Sequence, residues 1–230
     1  MSAKKTIVLS LGGSLIVPEK INYSFLKKFR STLRRQYKTH KFVVVCGGGV
    51  IARKYISVLK KAGSSKRQLS LAGIRATREN AKFMTQFFGK EANDSLPRDM
   101  TQVKSALAKN SIVLCGALRY QENSTSDETA ARLANYLKTD FINITNVAGL
   151  HTSNPIRNKK AKLIPKITWK KFEARAKRIK YKAGQNFVLD QRSAALIKNH
   201  KIKTYIIGPD LSNLKEILKE KKFKGTLIYG

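Results

Sequence analysis

Acidic residues are scarce in this chain: 14 Asp and Glu stand against 47 Lys and Arg in 230 residues, a formal net charge of +33 at pH 7. Cysteine is nearly absent. Cys46 and Cys115 each end an apolar run and read as small buried residues. Two such thiols and no others point to a reducing compartment, the cytoplasm. No apolar stretch approaches the roughly 20 residues needed to span a bilayer. Met1-Ser2-Ala3-Lys4-Lys5 runs straight into a strand without a signal-peptide core, so no membrane partner is expected. Internal repeats, low-complexity tracts and linkers are missing too, and 42% hydrophobic content suits one large domain over residues 1–230. The usual single-loop nucleotide fingerprints are absent: there is no GxxxxGK[ST] and no GxGxxG after a strand. No RNP aromatic strand, KH GxxG or zinc-knuckle spacing accompanies the charge, which alone supports only non-specific attraction of RNA or other polyanions. Basic residues are densest between Arg157 and Lys182, where Glu173 is the one acid.

What is present is a pair of glycine clusters, each ending an apolar run. Ile7-Val8-Leu9-Ser10-Leu11 leads into Gly12-Gly13-Ser14, and Phe42-Val43-Val44-Val45-Cys46 leads into Gly47-Gly48-Gly49. Short β-branched runs of this kind read as buried parallel strands. Glycine after a strand lets backbone N–H groups approach a ligand, and a following helix start favours phosphate. Apolar spacing then predicts helices around Phe25, Phe29 and Leu33, over Val50–Lys61 and over Gln68–Phe88. Another begins after Asp99, and a further one opens at Asp127, with Ser126 or Asp127 as its N-cap. Strands are predicted at Ser111–Cys115, Phe141–Thr145 and Lys203–Ile207, with Thr226–Tyr229 as a last edge strand. This alternation implies a three-layer α/β/α sandwich on a mainly parallel sheet. Gly12, Gly47, Gly116 and Asn146 all follow strands, so their loops converge on the carboxyl edge, where such sheets bind ligands.

Together these segments resemble the amino acid kinase family, and within it the archaeal-type uridylate kinases. The likeness rests on Leu11-Gly12-Gly13-Ser14, Gly47-Gly48-Gly49 with Arg53, Ala72-Gly73-Ile74 with Thr77-Arg78, Thr125-Ser126-Asp127, Thr145-Asn146-Val147, and Val188-Leu189-Asp190 with Ala194-Ala195. It runs nearly end to end. The resemblance implies transfer of the ATP γ-phosphoryl group to UMP with Mg2+, in pyrimidine nucleotide biosynthesis. It places Ser10, Leu11, Gly12, Gly13, Ser14, Gly49 and Arg53 on the ATP phosphates and Thr145, His151 and Asn154 against adenosine. Gly48, Ser70, Asn123, Ser124, Thr125 and Ser126 fall on UMP, and Arg53 and Asp127 are the expected catalytic pair. A homo-oligomer, a hexamer built from dimers, is implied as well.

The chain also departs from the family pattern. Ser70 replaces an Asp on the UMP ribose, Ala148 an Asp, His151 a Tyr and Asn154 the Asp before proline. Ser10 stands where many relatives carry a phosphate-binding lysine, and the hydroxyl-rich loop is about three residues longer than usual. Two other readings stay open beside a divergent uridylate kinase. One is a kinase of the same fold with another small phosphate or carboxylate acceptor. The other is a catalytically degenerate binding or storage protein.

Overall fold

The computed structural model describes residues 3–121, 124–155, 157–178 and 188–230. Its elements run β1 (Lys5–Leu11), α1 (Gly13–Ile16), α2 (Tyr23–Arg34), β2 (His40–Cys46), α3 (Gly49–Lys61), α4 (Lys66–Phe88), α5 (Met100–Lys109), β3 (Ile112–Cys115), α6 (Ser126–Tyr136), β4 (Phe141–Ile144), β5 (Lys166–Thr168), α7 (Trp169–Lys177), α8 (Gln191–Asn199), β6 (Thr204–Ile207), α9 (Ser212–Leu218) and β7 (Thr226–Tyr229).

The strands form one sheet in the order β3-β2-β1-β4-β6-β7-β5, and every pairing but β6 with β7 is parallel. Side chains alternate across each strand, so Ile7, Leu9 and Leu11 of β1 enter the core beneath α2, α4 and α9. Val8 enters the opposite core beneath α5, α6, α7 and α8. Ser10 shares the parity of Val8 and therefore points toward α6. The expected three-layer α/β/α architecture is what the chain adopts, and Cys46 and Cys115 are both free and buried.

Two expectations change. The segment Thr226–Tyr229 is not an edge: it lies between β6 and β5, antiparallel to the first and parallel to the second. The edge is β5, too short for alternation to announce it. The long helix α4 starts two residues earlier than expected, because Ser65 and Gln68 form a capping box.

The other edge, β3, is blunted by a side chain. Asn93, 4% exposed, accepts from the Leu114 amide at 2.7 Å and donates to the Leu114 carbonyl at 3.1 Å, taking the place of a further strand. Asn93→Ala orphans both backbone groups inside the core. The expected cost is about 1–3 kcal/mol, read as a lower melting temperature with the fold retained.

Candidate functional site

The carboxyl ends of β1 and β2 bring the two glycine clusters into backbone contact. A Cβ on Gly47 would sit 2.6 Å from the Gly13 nitrogen, and one on Gly49 would sit 2.5 Å from the Gly13 carbonyl carbon. Gly49 also needs a positive φ of 58°, which glycine adopts without strain. Neither Gly12 nor Gly48, which precede α1 and α3, supplies a side-chain cap. The first amides of α3 thus face the cradle with no side chain over them, an arrangement suited to an anion. Arg53, on the first turns of α3, donates from Nη2 to Ser14 Oγ at 3.2 Å and ties the two loops together. Asn80 of α4 donates to the Gly47 carbonyl at 2.7 Å and holds the second loop in place.

The loop after β3 is fastened to α4. Gly116 presses on the backbone of Thr77 and Arg78, where a Cβ would lie 2.7 Å from the Arg78 nitrogen. Thr77 Oγ1 accepts from the Ala117 amide at 2.9 Å. Arg78 donates to the Ala117 carbonyl at 3.0 Å and to the Leu118 carbonyl as well. Burial beside Arg98 lowers the Arg78 guanidinium below its ordinary value.

A carboxylate pair stands beside the first glycine loop. Ser10 on β1 donates to Asp127 Oδ1 at 2.7 Å. Burial pushes the Asp127 carboxyl up to about 7; the Ser10 hydrogen bond opposes this shift and the nearby Asp190 charge adds to it. The expected N-cap role of Ser126 or Asp127 falls to Thr125 instead, whose hydroxyl accepts from the Glu128 amide at 3.0 Å. With Thr125 as the cap, Asp127 sits in the first turn and turns to β1. Thr125 also donates to Asp190 Oδ2 at 2.5 Å, and Ser193 donates to the same oxygen at 2.7 Å. The amides of Arg192 and Ser193 donate to Asp190 Oδ1 at 2.8 and 2.9 Å. Asp190 therefore caps α8 and binds the hydroxyl loop to it. The one sequence signal for this role is the place of Asp190 just before the alanine-bearing α8, where an Asp caps a helix. Behind the pair, the fully buried Glu128 is held by Arg132 at 2.7 Å and Arg192 at 3.0 Å.

A cavity of about 550 Å3 opens beyond β4. Thr145, His151 and Asn154 all line it, so the structure brings together the three residues expected against adenosine. Arg157, Arg175 and Arg178 share its wall, and among the described lining residues there is no carboxylate. Arg175 donates to the carbonyls of His151, at 2.8 Å, and Thr152, fixing the loop that carries His151. Leu11 is a core side chain whose carbonyl accepts from the Gly47 amide at 2.9 Å. Ser70 is half-buried on α4, two turns before Thr77 on the same stripe, and Thr77 approaches Gly48. Ser124 lines a separate cavity of about 300 Å3 with Arg119 and Arg132. Asn123 lies outside the described residues. Among the described residues no group of three or more His, Cys, Asp or Glu could hold a metal, and no helix is long and apolar enough to cross a membrane.

A mainly parallel sheet with interlocked glycine loops, an arginine tied across them and a nucleotide-sized cavity alongside is an α/β arrangement suited to phosphate groups. The profile of the Amino acid kinase family matches residues 5–208, and the chain belongs to that family. It is 34% identical to the uridylate kinase of Thermococcus kodakarensis over 224 residues, covering 96% of this chain and 98% of the relative. The crystal structure of uridylate kinase from Archaeoglobus fulgidus superposes with a TM-score of 0.84 at 31% identity, over 96% of this chain and 99% of that one. UMP kinase from Ureaplasma parvum has the same fold, with a TM-score of 0.78 at 20% identity over the full length of both chains.

Proposed function

We propose that this protein moves the γ-phosphoryl group of ATP to UMP, giving UDP and ADP, in the cytoplasm. The observation that carries this reading is the glycine cradle bound by Arg53 and Ser14 beside the cavity of Thr145, His151 and Asn154. The nucleoside of ATP would fill that cavity and its phosphates would reach the amides of the cradle. UMP would lie between Gly48, the Ser70 stripe of α4 and the loop ending at Ser126. Phosphoryl transfer passes through a loose transition state, so alignment and charge neutralisation do most of the work. Arg53 neutralises charge on the transferred group. Asp127, held by Ser10, and Asp190, holding Thr125, keep the hydroxyl loop in register with the cradle. Mg2+ needs only one or two carboxylates besides substrate phosphates, so Asp127 fits as its protein neighbour, and the ion would supply further charge neutralisation on the phosphates.

Turnover of a panel of nucleoside monophosphates with Mg2+-ATP tests the assignment, with UMP expected as the preferred acceptor. A specific observation favours a second reading, another acceptor in the same site: Ser70 offers no charge where a ribose-binding Asp is expected. Ser70→Asp separates the two. If UMP is the acceptor, the new carboxylate strengthens the ribose bond by about 1 kcal/mol and lowers KM for UMP about fivefold with kcat unchanged. An unchanged or raised KM for UMP counts against UMP.

The reading also includes self-association. No residue of helix α3 is fully buried within the chain, and Tyr55 and Val58 are 55% and 66% exposed on it. Val58→Asp is expected to convert the wild-type oligomer to a smaller species in sedimentation, with the melting of the single chain little changed.

A further inference from the structure

Several of this chain's acids are bound internally. Asp127, Glu128 and Asp190 are bound within the site, and Glu91 is held by Arg30 and Arg34. Glu173, the acid of the segment 157–178, is buried and taken by Lys177 at 3.0 Å and Lys198 at 2.8 Å. Among the described residues no carboxylate lies within salt-bridge reach of Lys159, Lys160, Lys170 or Lys171, all of them exposed.

This charge is organised. Lys171, Arg175 and Arg178 fall at i, i+4 and i+7 and so share one face of α7 and its C-cap. Arg175 and Arg178 line the large cavity, and Arg157 stands in the same wall. A stripe of cations thus leads from open surface into a nucleotide-sized opening. Arg175 spends its hydrogen bonds on neutral carbonyls, so its charge is not cancelled.

We infer that α7 and the segment before β5 form a docking surface for single-stranded nucleic acid, whose terminal nucleotide enters the cavity in place of ATP. The inference rests on the cavity being the donor-nucleotide site. A single strand fits better than a duplex, because the stripe is one helix wide and ends in an opening for one nucleotide. Nucleic acid fits better than a lipid surface, because no large apolar side chain is exposed among the described residues of 157–178 that could enter a bilayer. Counterion release from phosphates supplies the driving force, and it should be steeply salt-dependent.

The test uses the full chain and fluorescence anisotropy of labelled oligo(U) and oligo(dT), each about 16 nucleotides long. Lys170→Glu with Lys171→Glu removes exposed charge outside the cavity lining. The control, Lys27→Glu with Lys28→Glu, makes the same change in net charge on α2, which covers the opposite face of the sheet. At about 100 mM salt the α7 variant is expected to weaken binding about tenfold or more and to flatten the salt slope by more than 1, while the control changes Kd less than twofold. ATP should displace the strand from the wild type. Equal binding of the two sequences places recognition in the phosphodiester backbone, and a preference for either one adds a contact to the sugar or the base; both support a nucleic-acid surface.

Equal weakening by the two variants would show general attraction by net charge and overturn the proposal, as would failure of both oligonucleotides to bind. Anionic phosphatidylserine vesicles bound more tightly than either strand, with the same sensitivity to the α7 variant, would assign the face to membranes instead. Absence of phosphotransfer to every nucleoside monophosphate would sink the kinase reading but not this one, which strand binding displaced by ATP and weakened by the α7 variant would still support. Strand binding that ATP leaves untouched would remove the cavity from the proposal and overturn its stated form.

Discussion

Asp127→Asn is expected to lower kcat about 100-fold or more while raising the melting temperature in mildly alkaline buffer. The catalytic loss follows from placement. The carboxylate that Ser10 holds stands between the first glycine loop and the start of α6, and Asn keeps the shape but removes the charge. The stability gain follows from linkage. Asp127 titrates near 7 in the folded chain against an ordinary value of 3.8, so between those values the folded state binds the extra proton. Stability attributable to this group is therefore greatest below about pH 4 and falls as pH rises toward and through 7. Asn carries no such penalty. Melting curves of the two proteins should coincide near pH 4 and separate by several degrees near pH 8, with the variant higher. Activity should show the same group: the wild-type kcat/KM rises with a midpoint near 7, and the variant lacks that limb. A variant with wild-type kcat and an unchanged pH profile would reduce Asp127 to a packing residue.

Arg53→Ala is expected to lower kcat about 10- to 1,000-fold at saturating ATP and UMP. The guanidinium is half-buried, sits one turn into α3 and bonds Ser14 across the two glycine loops. Its removal takes away a charge at the phosphates and the tie that sets the distance between the loops. Lysine restores charge without the planar fork, so Arg53→Lys should recover only part of the loss. The melting temperature should move little, because the guanidinium is only half-buried. Unchanged kcat in Arg53→Ala would place the residue outside the reaction.

The parts of this site that were legible in the sequence are those encoded by neighbours. An apolar run such as Phe42–Cys46 followed by three glycines specifies a strand, its end and a tight loop within eight residues. The parts that were not legible depend on partners far along the chain. Asp190 meets Thr125 across 65 positions, and nothing near either residue announces the pair. Thr125, Ser126 and Asp127 can each cap a helix, so the choice among them was settled by Ser10 drawing Asp127 toward β1. Strand β5 offers one apolar side chain, Ile167, in three residues, and the core positions of α7 are spaced among lysines that mask its period. The order of strands at that end is illegible for the same reason.

The meeting of Gly13 with Gly47 and Gly49 has a consequence for how this protein changes over generations. The cradle is made of main chain, and even one added methyl group at Gly47 or Gly49 would collide with the backbone of the opposite loop. Drift is closed to it. On the function proposed above, the acceptor side is made of side chains: Ser70 on α4 and Ser124 and Ser126 on the loop that follows β3. Those positions can be exchanged one at a time without moving a strand. A lineage built on this fold can therefore alter what receives a phosphoryl group while inheriting, unaltered, the means of holding one.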